Sequence, residues 1–251
     1  MEIVTVPCLS DNYAYLVRGP GGVCLIDAPE AAPIAAALSE RGWGLDTLLI
    51  THHHHDHVDG VDELRATFGC SVVGPRAEQE KMPALDLAVQ GGDVLEVAGT
   101  RCEVIYVPGH TLGHVAFHFP EAQAVFTADS LMALGCGRVF EGTPEMMWDS
   151  LSKLAALPPE TMVCSGHEYT QSNARFALTI EPGNATLKSR ANDIAKARAE
   201  GLPTATCKLS EELATNPFLR PDSPEIRDLL GMKTATDAEV FAEIRARKDK
   251  F

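Results

Sequence analysis

Residues 48–57 read Leu-Leu-Ile-Thr-His-His-His-His-Asp-His, and this stretch decides the fold. An apolar run at 48–50, typical of a buried strand, leads into four consecutive histidines, and a helical pattern follows at 59–68. Histidine tags stand at chain termini and do not follow a strand. The stretch is therefore interpreted as a metal-binding loop at the end of a strand.

Side-chain direction selects four residues of this loop as candidate ligands. Successive side chains of an extended chain point in opposite directions, so His52 and His54 share one side and His53 takes the other. The turn into the following helix can bring Asp56 and His57 back to that side. His53 and His55 are expected to make other contacts.

Three further apolar runs end in a residue that can bind metal. The run 104–107 precedes His110, 124–126 precedes Asp129, and 162–164 precedes His167. Strand ends on one side of a sheet form a rigid rim where side chains converge. One such ending means little, but four of them, including H-x-H-x-D-H, predict a common site.

The number of candidate ligands indicates two metal ions. Five imidazoles and two carboxylates exceed the roughly four ligands of one zinc-like ion. The set suits two ions that share one carboxylate and a bridging hydroxide. Zinc is expected, with iron and manganese as alternatives, because imidazole and carboxylate accept all three.

Composition limits the partners of the chain. Its 251 residues carry a formal charge of −14, which argues against binding to nucleic acid or to anionic membranes. Seven cysteines at wide spacing indicate buried free thiols in a reducing compartment. The N-terminus shows no signal or transit peptide and no segment has transmembrane length, so a cytoplasmic protein is expected.

The predicted secondary structure changes near residue 170. Short strands alternate with predicted helices at 31–41, 59–68 and 144–157, whereas only helices are predicted after His167, at 169–180, 185–200, 224–230 and 237–248. These patterns predict an α/β domain over 1–170 and a smaller helical domain over 171–251.

Charge is also divided between these parts. Residues 1–170 hold 8 Lys and Arg against 23 Asp and Glu, whereas residues 171–251 hold 13 against 12, and the last seven residues include four cations. This basic tail is either an ordinary helix end, where cations suit the helix dipole, or an anion-binding site.

The motif T-H-x-H-x-D-H with distant His, Asp and His resembles that of the metallo-β-lactamase superfamily. Within it, the chain is most similar to glyoxalase II, the hydroxyacylglutathione hydrolases, over essentially its whole length. The blocks that carry this resemblance are 7–16, 135–138 with 140–143, 166–170, 215–220 and 245–251. The resemblance implies an αββα sandwich followed by a smaller all-α domain.

The resemblance also implies residue roles. His52, His54 and His110 would hold one metal ion, Asp56, His57 and His167 would hold the other, and Asp129 would bridge them. Substrate-binding residues would be Arg138, Phe140, Tyr169, Arg245 and Lys248. The family usually has Tyr at the position of Phe140 and commonly Gly at the position of Ala128.

The expected reaction is hydrolysis of an S-(2-hydroxyacyl)glutathione, such as S-D-lactoylglutathione, in methylglyoxal detoxification. A metal-bridged hydroxide, oriented by Asp56, would attack the thioester carbonyl. Glutathione carries two carboxylates, which favours the anion-site interpretation of the basic tail. A monomer is expected. The main alternative is a mononuclear-iron persulfide dioxygenase of the same fold.

Overall fold

The computed structural model describes residues 1–251, and internal contacts divide the chain into two compact units. Unit 1 comprises Met1–Tyr106 and Thr111–Thr127, and unit 2 comprises Val107–His110 and Ala128–Phe251. The domain boundary predicted near residue 170 lies inside unit 2 and stays a prediction.

Unit 1 contains a mixed sheet in the order β1-β2-β3-β4-β5-β6. Strand β2 pairs antiparallel with both β1 and β3, and the pairs β3–β4, β4–β5 and β5–β6 are parallel. The strands are β1 Glu2–Cys8, β2 Asn12–Gly19, β3 Gly22–Ile26, β4 Thr47–Leu49, β5 Ser71–Pro75 and β6 Leu87–Val89. An antiparallel meander follows: β7 Val94–Val97, β8 Thr100–Tyr106, β9 Val115–Phe119 and β10 Ala124–Ala128.

The helices of unit 1 end where glycine permits it. They are α1 Ala31–Arg41, α2 His55–Val58 and α3 Val61–Phe68, with 3-10 turns at Arg76–Lys81 and Pro120–Ala122. Gly42 and Gly69 take left-handed conformations after α1 and α3 and close both helices. The helix predicted at 59–68 ends at Phe68 as expected, but it begins two residues later than predicted, at Val61. One face of α1 buries Ile34 and Leu38 in the core formed with β1–β5.

Unit 2 is mainly helical. Its helices are α4 Pro144–Ala155, α5 Thr170–Ile180, α6 Ala185–Ala199, α7 Leu209–Thr215, α8 Pro224–Leu230 and α9 Asp237–Asp249, with a 3-10 turn at Pro217–Leu219. Its strands are β11 Leu131–Met132, β12 Gly135–Cys136, β13 Met162–Ser165 and β14 Thr206–Lys208. Local signals define the helix starts: Thr143 caps α4 ahead of Pro144, and Thr236 with Glu239 forms a capping box on α9.

Four helices and no strand were predicted after His167. The structure corrects this prediction, because strand β14 and helix α7 also lie in that part of the chain. Residues 206–208 pair antiparallel with 162–164 in β13, so β14 supplies backbone hydrogen bonds to one side of that strand. Three residues are too few for a period-two pattern to be visible in the sequence.

All seven cysteines are free and buried, which confirms that part of the cysteine prediction; the reducing compartment stays a prediction. Burial is the largest influence on these thiols; it raises the pKa of Cys136 to about 11 and that of Cys164 to about 12. Inert structural thiols of this kind fill space in the core. None of the helices combines the length and the apolar content needed to span a bilayer.

Candidate metal centre

The loop after β4 brings four predicted ligands of unit 1 together. Nε2 of His52 lies 3.2 Å from Nδ1 of His54, and Nε2 of His57 lies 3.9 Å from Oδ2 of Asp56. His54 is extended and stands at the N-cap position of the four-residue helix α2, whose turn carries Asp56 and His57 back toward His52. We call His52, His54, Asp56 and His57 the first donor set.

The two other histidines of the loop point elsewhere. The side chain of His55 is 95% exposed and pairs with Asp59 on the next turn. Nδ1 of His53 lies 2.8 Å from Oε2 of Glu78. His53 and His55 thus make other contacts, as expected from the sequence.

Asp27 holds the first donor set from behind. It is buried; Oδ1 accepts from the backbone N–H of Thr51 at 2.8 Å, and Oδ2 accepts from the Thr51 hydroxyl at 2.8 Å and from Nδ1 of His57 at 2.7 Å. The hydrogen on Nδ1 leaves the lone pair of His57 at Nε2. Metal-binding histidines are oriented in this way by carboxylates.

The same network assigns the lone pair of His52. The Thr51 hydroxyl has one hydrogen and gives it to Asp27, so Nδ1 of His52, 3.0 Å from that hydroxyl, is the donor. Nε2 of His52 then carries the lone pair. Two ligand nitrogens of one tetrahedral zinc-like ion, at bonds of about 2.0–2.1 Å, lie about 3.3 Å apart. The 3.2 Å separation of His52 and His54 matches that value.

A second donor set lies in unit 2 and consists of His110, Asp129 and His167. Oδ2 of Asp129 lies 3.2 Å from Nε2 of His110, and Oδ1 lies 3.3 Å from Nε2 of His167. Nδ1 of His110 donates to the carbonyl of Arg138 at 2.8 Å, which leaves its lone pair at Nε2. One carboxylate thus offers a different oxygen to each of two imidazoles, as a bridging ligand does.

The chemistry of these donors fits divalent metal ions. All three residues of the second set are buried, as are His52 and His57 of the first. Imidazole lone pairs and carboxylate oxygens at contact distance repel one another unless a cation or a proton lies between them. Nitrogen and oxygen donors of this kind suit zinc, iron or manganese.

Asp27 was not among the residues predicted from the sequence, although a signal was present. Asp27 directly follows β3, in the same way that Asp129 directly follows β10. Applying the strand-end criterion to β3 would have included it.

Glu78 and His114 carried no comparable signal. Glu78 lies in a 3-10 turn and is buried; it accepts from the backbone N–H groups of His53 and Gly113 at 2.9 and 2.7 Å. The buried ring of His114 stacks on His52 with ring centroids 4.6 Å apart. Both residues support the loop that carries the first donor set.

Two of the predicted substrate residues pack against the second donor set. The ring of Tyr169 stacks on His167 with centroids 4.8 Å apart, and its side chain is half-exposed. The ring of Phe140 lies 5.3 Å from that of His110 and is 62% exposed. Both positions are open to a small molecule that approaches these histidines.

The predicted tail residues differ from each other in their contacts. Arg245 is 5% exposed, and each nitrogen of its guanidinium donates within unit 2, to Asp249 or to the carbonyl of Cys136. Lys248 is half-buried, and its ammonium lies 5.2 Å from the Phe176 ring and 5.1 Å from the Phe251 ring. Arg245 therefore holds the tail in place, whereas Lys248 is the more available cation.

Lys248 lies in a strongly positive environment. Burial, followed by the nearby charges of Arg245, Arg175 and Arg138, lowers its pKa to about 8. Four cations near one another, with Asp249 as the opposing charge, make a region of unit 2 that attracts anions.

Ala128, next to Asp129, has a strained backbone. Its φ is +41°, a conformation that favours glycine and costs other residues about 1–2 kcal/mol. We therefore expect Ala128→Gly to raise the free energy of unfolding by about 1 kcal/mol, measured by urea denaturation. Ala116→Gly in β9 is the control and should lower stability, because a strand alanine gains nothing from glycine. A less stable Ala128→Gly variant would contradict the prediction.

Comparison with known proteins gives two family matches that together cover 10–251. Residues 10–167 match the metallo-beta-lactamase superfamily and residues 168–251 match the hydroxyacylglutathione hydrolase C-terminus. A hydroxyacylglutathione hydrolase of Ruegeria pomeroyi is 62% identical over 253 residues, which cover 100% of this chain and 99% of that relative.

Solved structures share the fold. ETHE1 from Myxococcus xanthus superimposes with a TM-score of 0.67 at 24% identity and covers 99% of this chain and 98% of its own. TTHA1623 in a di-iron-bound form superimposes with a TM-score of 0.63 at 27% identity, over 87% of this chain and 100% of its own.

Proposed function

This chain belongs to the hydroxyacylglutathione hydrolases of the metallo-β-lactamase superfamily, and from that premise we propose that it hydrolyses the thioester of an S-(2-hydroxyacyl)glutathione to glutathione and a 2-hydroxy acid. The observation that carries this function is a relative of that name that is 62% identical to this chain, over 100% of this chain and 99% of the relative. The likeness to ETHE1 at 24% identity concerns the fold alone and does not favour the persulfide dioxygenase alternative.

We further propose that the two donor sets together bind two divalent metal ions. His52, His54 and His110 would hold one ion, Asp56, His57 and His167 the other, and Asp129 would be shared. The pair distances inside each set support this assignment, and so does the di-iron form of TTHA1623. Zinc is the expected metal, and iron or manganese would suit the same donors.

The chemistry divides between the metals and the chain. When bound, two such ions supply a hydroxide nucleophile near neutral pH and neutralise negative charge that develops on the thioester oxygen. Asp56 would orient the attacking oxygen by accepting a hydrogen bond from it, while Asp27 accepts the Nδ1 hydrogen of His57 and so keeps that ring in one tautomer. The thiolate that leaves is a weak base, so no general acid is needed.

Substrate binding is assigned to unit 2. The two carboxylates of glutathione would pair with Lys248 and Arg138, in the positive region around the tail, and Arg245 would maintain that region. Tyr169 and Phe140 would contact the substrate near the second donor set. Phe140 offers a ring without a hydroxyl, so it contributes apolar contact and no hydrogen bond.

The test of the function is release of thiol from S-D-lactoylglutathione. We expect the metal-loaded protein to release one thiol per thioester cleaved, to lose this activity on treatment with a chelator, and to regain it when Zn²⁺ is restored. A fully metallated sample that releases no thiol would exclude the proposal.

Lys248 provides a prediction about pH. We expect Lys248→Ala to raise KM about tenfold or more, with little change in kcat, because a charge-assisted contact contributes about 1.5–3 kcal/mol in ground and transition states alike. Lys248 loses its proton as pH rises through its pKa of about 8, so KM of the unmodified enzyme should increase between pH 7 and 9.

The control for this prediction is Lys248→Arg, which stays charged and should show a KM nearly independent of pH over that range. Lys250→Ala, at an exposed position two residues away, should leave KM unchanged. An unaltered KM in Lys248→Ala would exclude the substrate-binding role.

We also propose a cytoplasmic, monomeric enzyme of methylglyoxal detoxification that binds neither nucleic acid nor membrane. Seven free buried thiols support a reducing compartment, and a net charge of −14 argues against binding to nucleic acid or anionic membranes. Light scattering of the purified protein tests the monomeric state.

A further inference from the structure

Asn12 binds Asp56 at two points within unit 1. It is buried at the start of β2, where Asn12 pairs with Cys8 in the hairpin of β1 and β2. Its side-chain nitrogen lies 3.0 Å from the backbone carbonyl of Asp56 and 3.1 Å from Oδ2 of the same residue. Both partners are acceptors only, so the amide group must present its N–H donors to them.

These contacts restrain a residue whose own helix is short. Asp56 lies in α2, which has four residues and too few internal hydrogen bonds to be rigid by itself. The carboxylate of Asp56 is 41% exposed, in contrast to the buried His57 beside it. Asn12 fixes both the main chain and the side chain of Asp56 to a sheet strand, and strands hold functional groups more firmly than loops do.

The oxygen that Asn12 holds is the one that faces His57. Oδ2 of Asp56 lies 3.9 Å from Nε2 of His57, the nitrogen that carries the lone pair. A carboxylate oxygen has two lone pairs, so one can accept from the amide while the other points toward a cation. The amide is neutral, so it restrains the carboxylate without neutralising the charge that binds a metal ion.

We propose that Asn12 is a positioning residue that holds Asp56 for one of the two metal ions. The inference rests on the proposed function, in which Asp56 is a metal ligand. Residues that orient a metal ligand typically contribute 10–100-fold to metal affinity. Loss of Asn12 should therefore weaken the ion bound by Asp56 and His57 and leave the ion bound by His52 and His54 nearly unaffected.

The experiment is a Zn²⁺ titration of the metal-free protein in competition with a chromophoric chelator. We expect two binding constants in the unmodified protein. In Asn12→Ala one of them should weaken by about 10–100-fold and the other by less than about threefold. Asp56→Ala marks which constant belongs to the site of Asp56, since it should abolish the same binding event. Ser10→Ala, at an exposed position in the same hairpin, is the matched control and should change neither constant.

Asn12→Asp is the second variant, and it keeps the size of the side chain. It removes both N–H donors to Asp56 but adds a negative charge near the proposed ion, so it should weaken that ion less than Asn12→Ala does. The thermal midpoint of each metal-free variant shows whether the chain is folded during the titration.

The outcomes separate this inference from the proposed function. Equal weakening of both ions, or no weakening in either variant, overturns the positioning role while Asp56→Ala still abolishes one binding event. If Asp56→Ala also leaves both constants unchanged, the dinuclear site itself is wrong and this inference falls with it.

Discussion

Asp129→Asn is expected to lower kcat/KM for S-D-lactoylglutathione by about 10⁴-fold, a loss of roughly 5.5 kcal/mol in transition-state stabilisation. In the unmodified chain each oxygen of Asp129 faces an imidazole nitrogen, at 3.2 Å for His110 and 3.3 Å for His167. An amide has one oxygen, so its NH₂ group would donate to one of those nitrogens and occupy the lone pair that a metal ion needs. The carboxylate charge that the two proposed ions would share is lost as well.

The measurements are metal content per chain and the rate of thiol release. We expect the bound metal to fall from about two ions to one or fewer, in line with the loss of a shared ligand. Asp149→Asn is the matched control, because Asp149 is an exposed carboxylate of α4 in the same unit, and it should retain both metal and activity. A fully active Asp129→Asn enzyme with two ions per chain would show that Asp129 is not a shared ligand.

Asp27→Ala is expected to lower the free energy of unfolding of the metal-free protein by about 3–5 kcal/mol. The substitution removes the acceptor of three buried donors: the N–H and hydroxyl of Thr51 and Nδ1 of His57. Each donor left without an acceptor costs about 1–3 kcal/mol. Asp27 also has a φ of +56°, which an alanine tolerates less well than an aspartate. Urea denaturation measures the loss.

Asp27→Asn separates stability from metal binding. Its remaining oxygen can still accept from Thr51, so part of the stability should return. Its NH₂ group would face Nδ1 of His57 and favour the tautomer with the lone pair at Nδ1, so metal affinity should fall by about 10–100-fold. If Asp27→Ala is as stable as the unmodified chain and binds metal equally well, Asp27 does not orient His57.

Local pattern was enough to predict most of the elements. Helix α1 runs from Ala31 to Arg41 as expected, because an apolar face at helical spacing is followed by Gly42, which closes the helix in a left-handed conformation. The short elements β14 and α7 were not predicted, since three to seven residues hold too little periodicity to distinguish them from loop.

The candidate ligands were also predictable, for a related reason. Each follows a strand or lies in the His-rich loop, and the direction of a side chain at a strand end depends on the alternation of the backbone. That alternation alone separates His52 and His54 from His53. The tautomers of these histidines were not predictable, because they depend on partners distant in sequence.

The sequence by itself therefore determined which residues are candidate donors and which strands carry them, because both depend on backbone geometry over a few neighbouring residues. Only the tertiary structure decided what holds those donors. Asp27 meets His57 across 30 residues, Asn12 meets Asp56 across 44, and Arg245 meets Cys136 across 109. Such contacts form when sheets and helices pack, and no local pattern encodes which buried donor will find which acceptor.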